Sequence, residues 1–102
     1  MLNLRHKKLE VWKESINLIT DTYQLLEKFP KTEIYGVTAQ MKRAAVSVSS
    51  NIAVGSSRIS KKERRRFFEI ARSSLVELDT QMEISINLGF MDEAQSNHSG
   101  KR

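Results

Sequence analysis

Between Arg58 and Arg72 the chain sets seven cations, Arg58, Lys61, Lys62, Arg64, Arg65, Arg66 and Arg72, against two carboxylates, Glu63 and Glu69. The local balance of +5 equals the net charge of the whole chain. Five of the seven are arginines, whose planar forks match phosphate oxygens in pairs, so the chemistry this stretch suggests is neutralisation of a phosphate backbone. At helical spacing Lys61, Arg65 and Arg72 share one face, while Lys62 and Arg66 lie one turn apart. Lys42 and Arg43 precede a run of small residues and extend the same set in an assembled protein. Phe67 and Phe68 continue an apolar stripe and are expected in the core, not as base-stacking platforms. No groove-reading or single-strand-binding motif is present, so the contacts expected are to backbone and shape, not to base edges. The competing reading is a helix end kept soluble by its charges. Local stability does not account for the block, because cations in the first turn oppose the helix macrodipole by a few tenths of a kcal/mol each.

Other chemistries find little material. The chain has no cysteine, which removes disulfides, thiolate metal sites and thiol catalysis and suits a reducing compartment. His6 and His98 are the two histidines, and neither stands at ligand spacing from a second histidine or a carboxylate cluster. Glu77 and Asp79 point to different faces of one helix, and Asp79 with Glu83 reads as a solvated i,i+4 edge. A glycine-rich phosphate loop, GxSxG and HExxH are all missing. No catalytic, cofactor-binding or metal-binding residue is therefore expected, and no enzyme. The absence of a long apolar run and of a secretory leader pattern leads to the expectation of a cytoplasmic protein without a membrane partner.

These cations need elements to hold them. With 102 residues, 39% apolar and 28% charged, the chain is one small domain that buries only about 60–70% of its unfolded surface. A pI near 9.7 favours polyanionic partners. Leu9, Trp12, Ile16, Ile19, Tyr23 and Leu26 follow a 3,4 spacing, with Val11, Leu18 and Leu25 as a second stripe, which predicts a helix over about 8–29 ended by Pro30. Ile34, Val37, Met41, Ala44, Val48 and Ile52 predict a second over about 33–57, its start ambiguous at Gly36 and Thr38. From Ala44 to Gly55 nearly every residue is small or β-branched. Ala45, Ser47, Asn51 and Gly55, with Trp12 of the first helix, are the expected contacts for tight helix packing or for an oligomer. A third helix over about 60–88 starts at the capping box "SKKE", carries Phe68, Ala71, Leu75, Leu78, Met82 and Ile86, and ends at Gly89. Residues 1–90 thus make a helical bundle domain, and 91–102 a short polar tail expected to be disordered. The expected class is an all-α, up-down antiparallel bundle. Three helices lack a fourth wall, so another chain is expected to cover the exposed stripe.

The motifs "LEVWK", "FPKTEIYGVTAQMKRAAVSV" leading into "SNIAVG", and "SLVELDTQ" resemble a bacterial family of four-helix bundle proteins encoded in intervening sequences of large-subunit ribosomal RNA genes. That fold also includes the accessory proteins of diversity-generating retroelements. The likeness covers roughly residues 8–90. It implies a homopentamer, a basic surface and no enzymatic activity, and for the retroelement relatives it implies binding of nucleic acid and of a reverse transcriptase. Three departures stand out. Ser49 occupies the place of a usual proline, and Val54 that of a usual glutamate. The family's fourth helix follows the glycine that Gly89 matches, whereas thirteen residues follow it here; the fourth helix is expected to be short or missing, either in a bundle completed by neighbouring chains or in a shortened copy.

Two classes of function remain open at this point. One is a non-enzymatic oligomer that binds nucleic acid, structured RNA first, without sequence preference. The other is a protein-interaction scaffold whose uncovered apolar stripe docks a partner helix, such as one from a polymerase, with the basic block only solubilising.

Overall fold

The computed structural model describes residues 4–92, and among them are three α-helices and no strand. A 3-10 turn, Arg5–Lys8, precedes α1, Glu10–Leu26; a second, Lys31–Glu33, precedes α2, Val37–Ser57; α3 is Lys61–Asn87. The molecule measures 44 × 25 × 24 Å, and its long axis is about that of α3, whose 27 residues span roughly 40 Å at 1.5 Å each.

Local chemistry explains the boundaries. The α1 ladder stops at Leu26 and not at the prolyl junction, because Lys28 and Phe29 donate to the carbonyls of Leu25 and Leu26 in tighter i→i+3 turns; Pro30 then starts the next 3-10 turn in an extended conformation. Gly36 settles the start of α2: it takes the N-cap position, at φ −105° and ψ −122°, without a side-chain cap. At α3 the Ser60 hydroxyl accepts from the Glu63 N–H at 3.3 Å, the serine half of the capping box. The far end closes on Gly89, whose φ of +79° lets its N–H reach the Ile86 carbonyl and that of Phe90 the Ser85 carbonyl, the paired bonds of a Schellman stop. Helix α2 runs unbroken through Ser49.

Packing orders the helices. Leu25 and Leu26 at the end of α1 share a core with Met41, Ala44 and Ala45 near the start of α2 and with Leu78 and Met82 late in α3. At the opposite end Trp12 packs on Val48, Ile52 and Ala71. Consecutive helices therefore run in opposite directions. Phe90 and Met91 fold back over the first cluster, the Phe90 ring tilted against Phe29 at 5.9 Å between centroids. Residues 93–102, most of the expected tail, lie outside the described residues.

Helix α2 packs closely against both neighbours, whereas α1 and α3 scarcely touch. The consequence is visible in the stripes. On α1 the surface facing α2 buries Ser15 and Thr22 beside Leu25 and Leu26, while Ile16 and Tyr23 turn outward. On α3, Ala71, Leu78 and Met82 are buried but Phe68 and Leu75 remain 40% and 46% exposed. Among the described residues no helix is long and apolar enough to cross a membrane.

Candidate nucleic-acid interface

The turn from α2 to α3 gathers most of the cations at one end of the molecule. Arg64 is committed to that turn: its Nη1 donates to the carbonyl oxygens of Arg58 at 3.0 Å and of Ile59 at 2.7 Å, acceptors left free where α2 ends. Arg58 and Arg66 both stack on the Phe67 ring, 5.0 and 5.7 Å from its centroid. Such contacts contribute about 0.5–1 kcal/mol at exposed sites. They hold two guanidinium planes beside a half-buried ring while leaving their edges to solvent. Gly55 makes room for this arrangement, since a Cβ there would lie 3.0 Å from Phe67 Cβ and 2.9 Å from Phe68 Cε1.

The remaining cations divide by face. Lys61, Arg65 and Arg72 line a shallow depression with Arg64, Phe68 and Glu69. Lys62 lies on the outer side with Arg66, and both are exposed. None of Lys61, Lys62, Arg65 and Arg72 pairs with a carboxylate among the described residues. Unpaired guanidinium and ammonium groups at the positive end of α3 raise the local potential and favour an anionic ligand.

Lys42 and Arg43 do not join this cluster within one chain. Arg58 follows Lys42 by sixteen positions, about 24 Å along the axis of α2, and Lys42 Nζ lies over the Tyr23 ring at 4.9 Å. Arg43 is exposed on the same distant half of α2.

Of the five residues expected at helix contacts, Trp12, Ala45, Ser47 and Gly55 meet another helix, and Asn51 bonds within α2. Trp12 leans on the Val48, Ile52 and Ala71 cluster and meets the His6 ring edge-on at 5.1 Å. Ala45 is fully buried. Ser47 Oγ and Ser74 Oγ share a hydrogen bond of 2.9 Å between α2 and α3, and Asn51 Nδ2 donates to the Ser47 carbonyl and hydroxyl at 2.8 and 3.0 Å.

Beside the cluster runs a groove of about 820 Å³ between α1 and α3. Its floor is Val48 and Ile52 of α2, and Val11, Leu18, Phe68, Leu75 and Val76 form its walls. Arg72, Glu14 and Asp79 bring charge to it. Sequence periodicity treats Phe68 and Leu75 as core and Asp79 as a solvated edge; it does not reveal that all three face one open groove. The Phe67 platform was legible only as an aromatic next to arginines, a pattern too common to assign. Among the described residues no three His, Cys, Asp or Glu side chains gather as a metal site.

A family model described as 23S rRNA-intervening sequence protein matches residues 7–102. No curated protein matches the chain.

Proposed function

The chain belongs to the 23S rRNA-intervening sequence protein family, and on that premise we propose that it is a non-enzymatic protein that binds the phosphate backbone of nucleic acid, structured RNA first, at the α2–α3 end. The observation that carries this reading is the gathering of Arg58, Lys61, Lys62, Arg65 and Arg66 at the α2–α3 end, with Arg72 further along the face of Lys61 and Arg65, and with no carboxylate paired to the lysines or to Arg65 and Arg72 among the described residues. Arginine forks held over Phe67 are already ordered, so less side-chain entropy is lost when they meet phosphate. Absence of a base-reading motif makes the recognition one of charge and shape. Self-association would repeat the cluster on each chain and add contacts by avidity.

The test replaces Arg58, Lys62 and Arg66 together by glutamine. Arg64 is spared, because its loss leaves the turn carbonyls without their donor. Binding of a structured RNA should weaken, and the slope of log affinity against log salt should become shallower by about 2.7, taking 0.9 per lost phosphate contact. Unchanged affinity and slope would remove the cluster from the function.

A second reading is favoured by the groove: a scaffold that docks a helix from another protein between α1 and α3, a polymerase such as a reverse transcriptase being one candidate. In that case the triple glutamine variant keeps its activity, and polar substitutions of Val11 and Leu75 abolish partner binding.

A further inference from the structure

Two large apolar side chains among the described residues are almost wholly exposed, Tyr35 at 97% and Ile59 at 95%. Tyr35 carries a hydroxyl and stands before α2, at the end away from the cation cluster. Ile59 has no polar side-chain atom, and it sits in the α2–α3 turn within that cluster: Arg58 precedes it, and Lys61 and Lys62 follow two and three positions on. Solubility of the helix end does not account for an isoleucine there, since a polar side chain would serve it better.

The turn holds Ile59 outward. Arg58 and Ser60, on either side of it, are both extended. Both turn their side chains back onto α3, the first over the Phe67 ring and the second to the Glu63 N–H. Alternation along extended backbone sends the Ile59 side chain the other way. Arg64 fixes the arrangement by donating to the carbonyls of Arg58 and of Ile59 itself, and β-branching stiffens the side chain at χ1. The product is a short apolar point, held in place, with cations beside it.

We propose that Ile59 is a wedge that enters an opened base step of structured RNA while the cations around it hold the flanking phosphates. This rests on the reading of the cluster as a phosphate-binding surface, and it names the kind of RNA taken: a stem interrupted by a bulge or an unpaired nucleotide. An apolar side chain placed between bases unstacks them, at a cost that burial must offset. One isoleucine buries too little apolar surface to open an intact stack. At a bulge the step is already parted, and there the side chain leaves water without that cost. Two other uses of an apolar point fit less well. Packing against the same turn of another copy brings two sets of like charges together. Insertion into an anionic membrane asks for a broad apolar face, whereas residues 56–62 other than Ile59 are serine, arginine and lysine.

Fluorescence anisotropy with two hairpin RNAs, identical except for one unpaired nucleotide in the stem of the second, tests the wedge on the full chain. The parent should bind the bulged hairpin about tenfold more tightly than the paired one, the gain from burying roughly half of an isoleucine side chain. Ile59→Ser should bind both as the parent binds the paired hairpin, with an unchanged slope of log affinity against log salt, because no phosphate contact is lost. Ile59→Val should keep most of the preference. A fluorescent adenine analogue beside the bulge should brighten with the parent and not with Ile59→Ser. Since Ile59 is exposed, circular dichroism of both variants stays at the parent signal. Equal binding of the two hairpins by the parent, or a preference that survives Ile59→Ser, overturns the wedge and leaves phosphate binding standing. Binding that ignores salt removes the phosphate reading and the wedge together. Vesicles of anionic phospholipid bound by the parent and not by Ile59→Ser, or a change of mass in light scattering with that variant, overturn the wedge in favour of a membrane or of another copy.

Discussion

At Gly55 an added Cβ would meet Phe68 Cε1 at 2.9 Å and Phe67 Cβ at 3.0 Å. The Phe68 ring has a free edge and can move, but the Phe67 Cβ is tied to the α3 backbone. Overpacking of this kind costs about 1–3 kcal/mol, and alanine returns about 1 kcal/mol of helix propensity. Gly55→Ala should therefore lower stability by about 1 kcal/mol in urea denaturation and loosen the platform under Arg58 and Arg66. Thr22 gives the opposite sign. It is fully buried, and its hydroxyl has no partner among the described residues. Thr22→Val keeps the shape and removes an unsatisfied polar group, so it should raise stability by about 1 kcal/mol on the same assay.

Helix α3 begins on the Ser60 cap, and the cluster is built on its first turns. Ser60→Ala removes the acceptor for the Glu63 N–H, a loss of about 1 kcal/mol at an N-cap; in amide hydrogen exchange, protection should fall in residues 61–65 and hold around Leu78. The three helices were legible because apolar residues recur at 3,4 spacing between clear stops, Pro30, Ser60 and Gly89. Which members of each stripe are buried was not legible. Ile16, Tyr23, Phe68 and Leu75 follow the period as well as Leu26 and Leu78 do, yet stay exposed, because α1 and α3 scarcely touch and period does not encode which helices are neighbours. Ser15 and Thr22 are buried where small side chains let α1 approach α2. The cation cluster was visible as composition, but the commitment of Arg64 to the turn depends on where the Arg58 and Ile59 carbonyls point. Lys42 and Arg43 fall outside the cluster for a simpler reason, the length of α2.

In the whole molecule, an elongated three-helix unit presents its unpaired cations at one end and an apolar groove along one side. The first feature suits a polyanion and the second an apolar partner, and the two lie on separate surfaces of the chain. Under the proposed function those exposed cations displace counterions condensed on the nucleic acid, so binding weakens as salt rises. The most direct measurement is the affinity of the unmodified protein for a structured RNA between 50 and 200 mM salt, read by fluorescence anisotropy. Neutralisation of about five phosphates gives a slope near −4.5 and an affinity that falls roughly 500-fold over that range. An affinity that stays level across the same salts would contradict phosphate binding by the α2–α3 cluster.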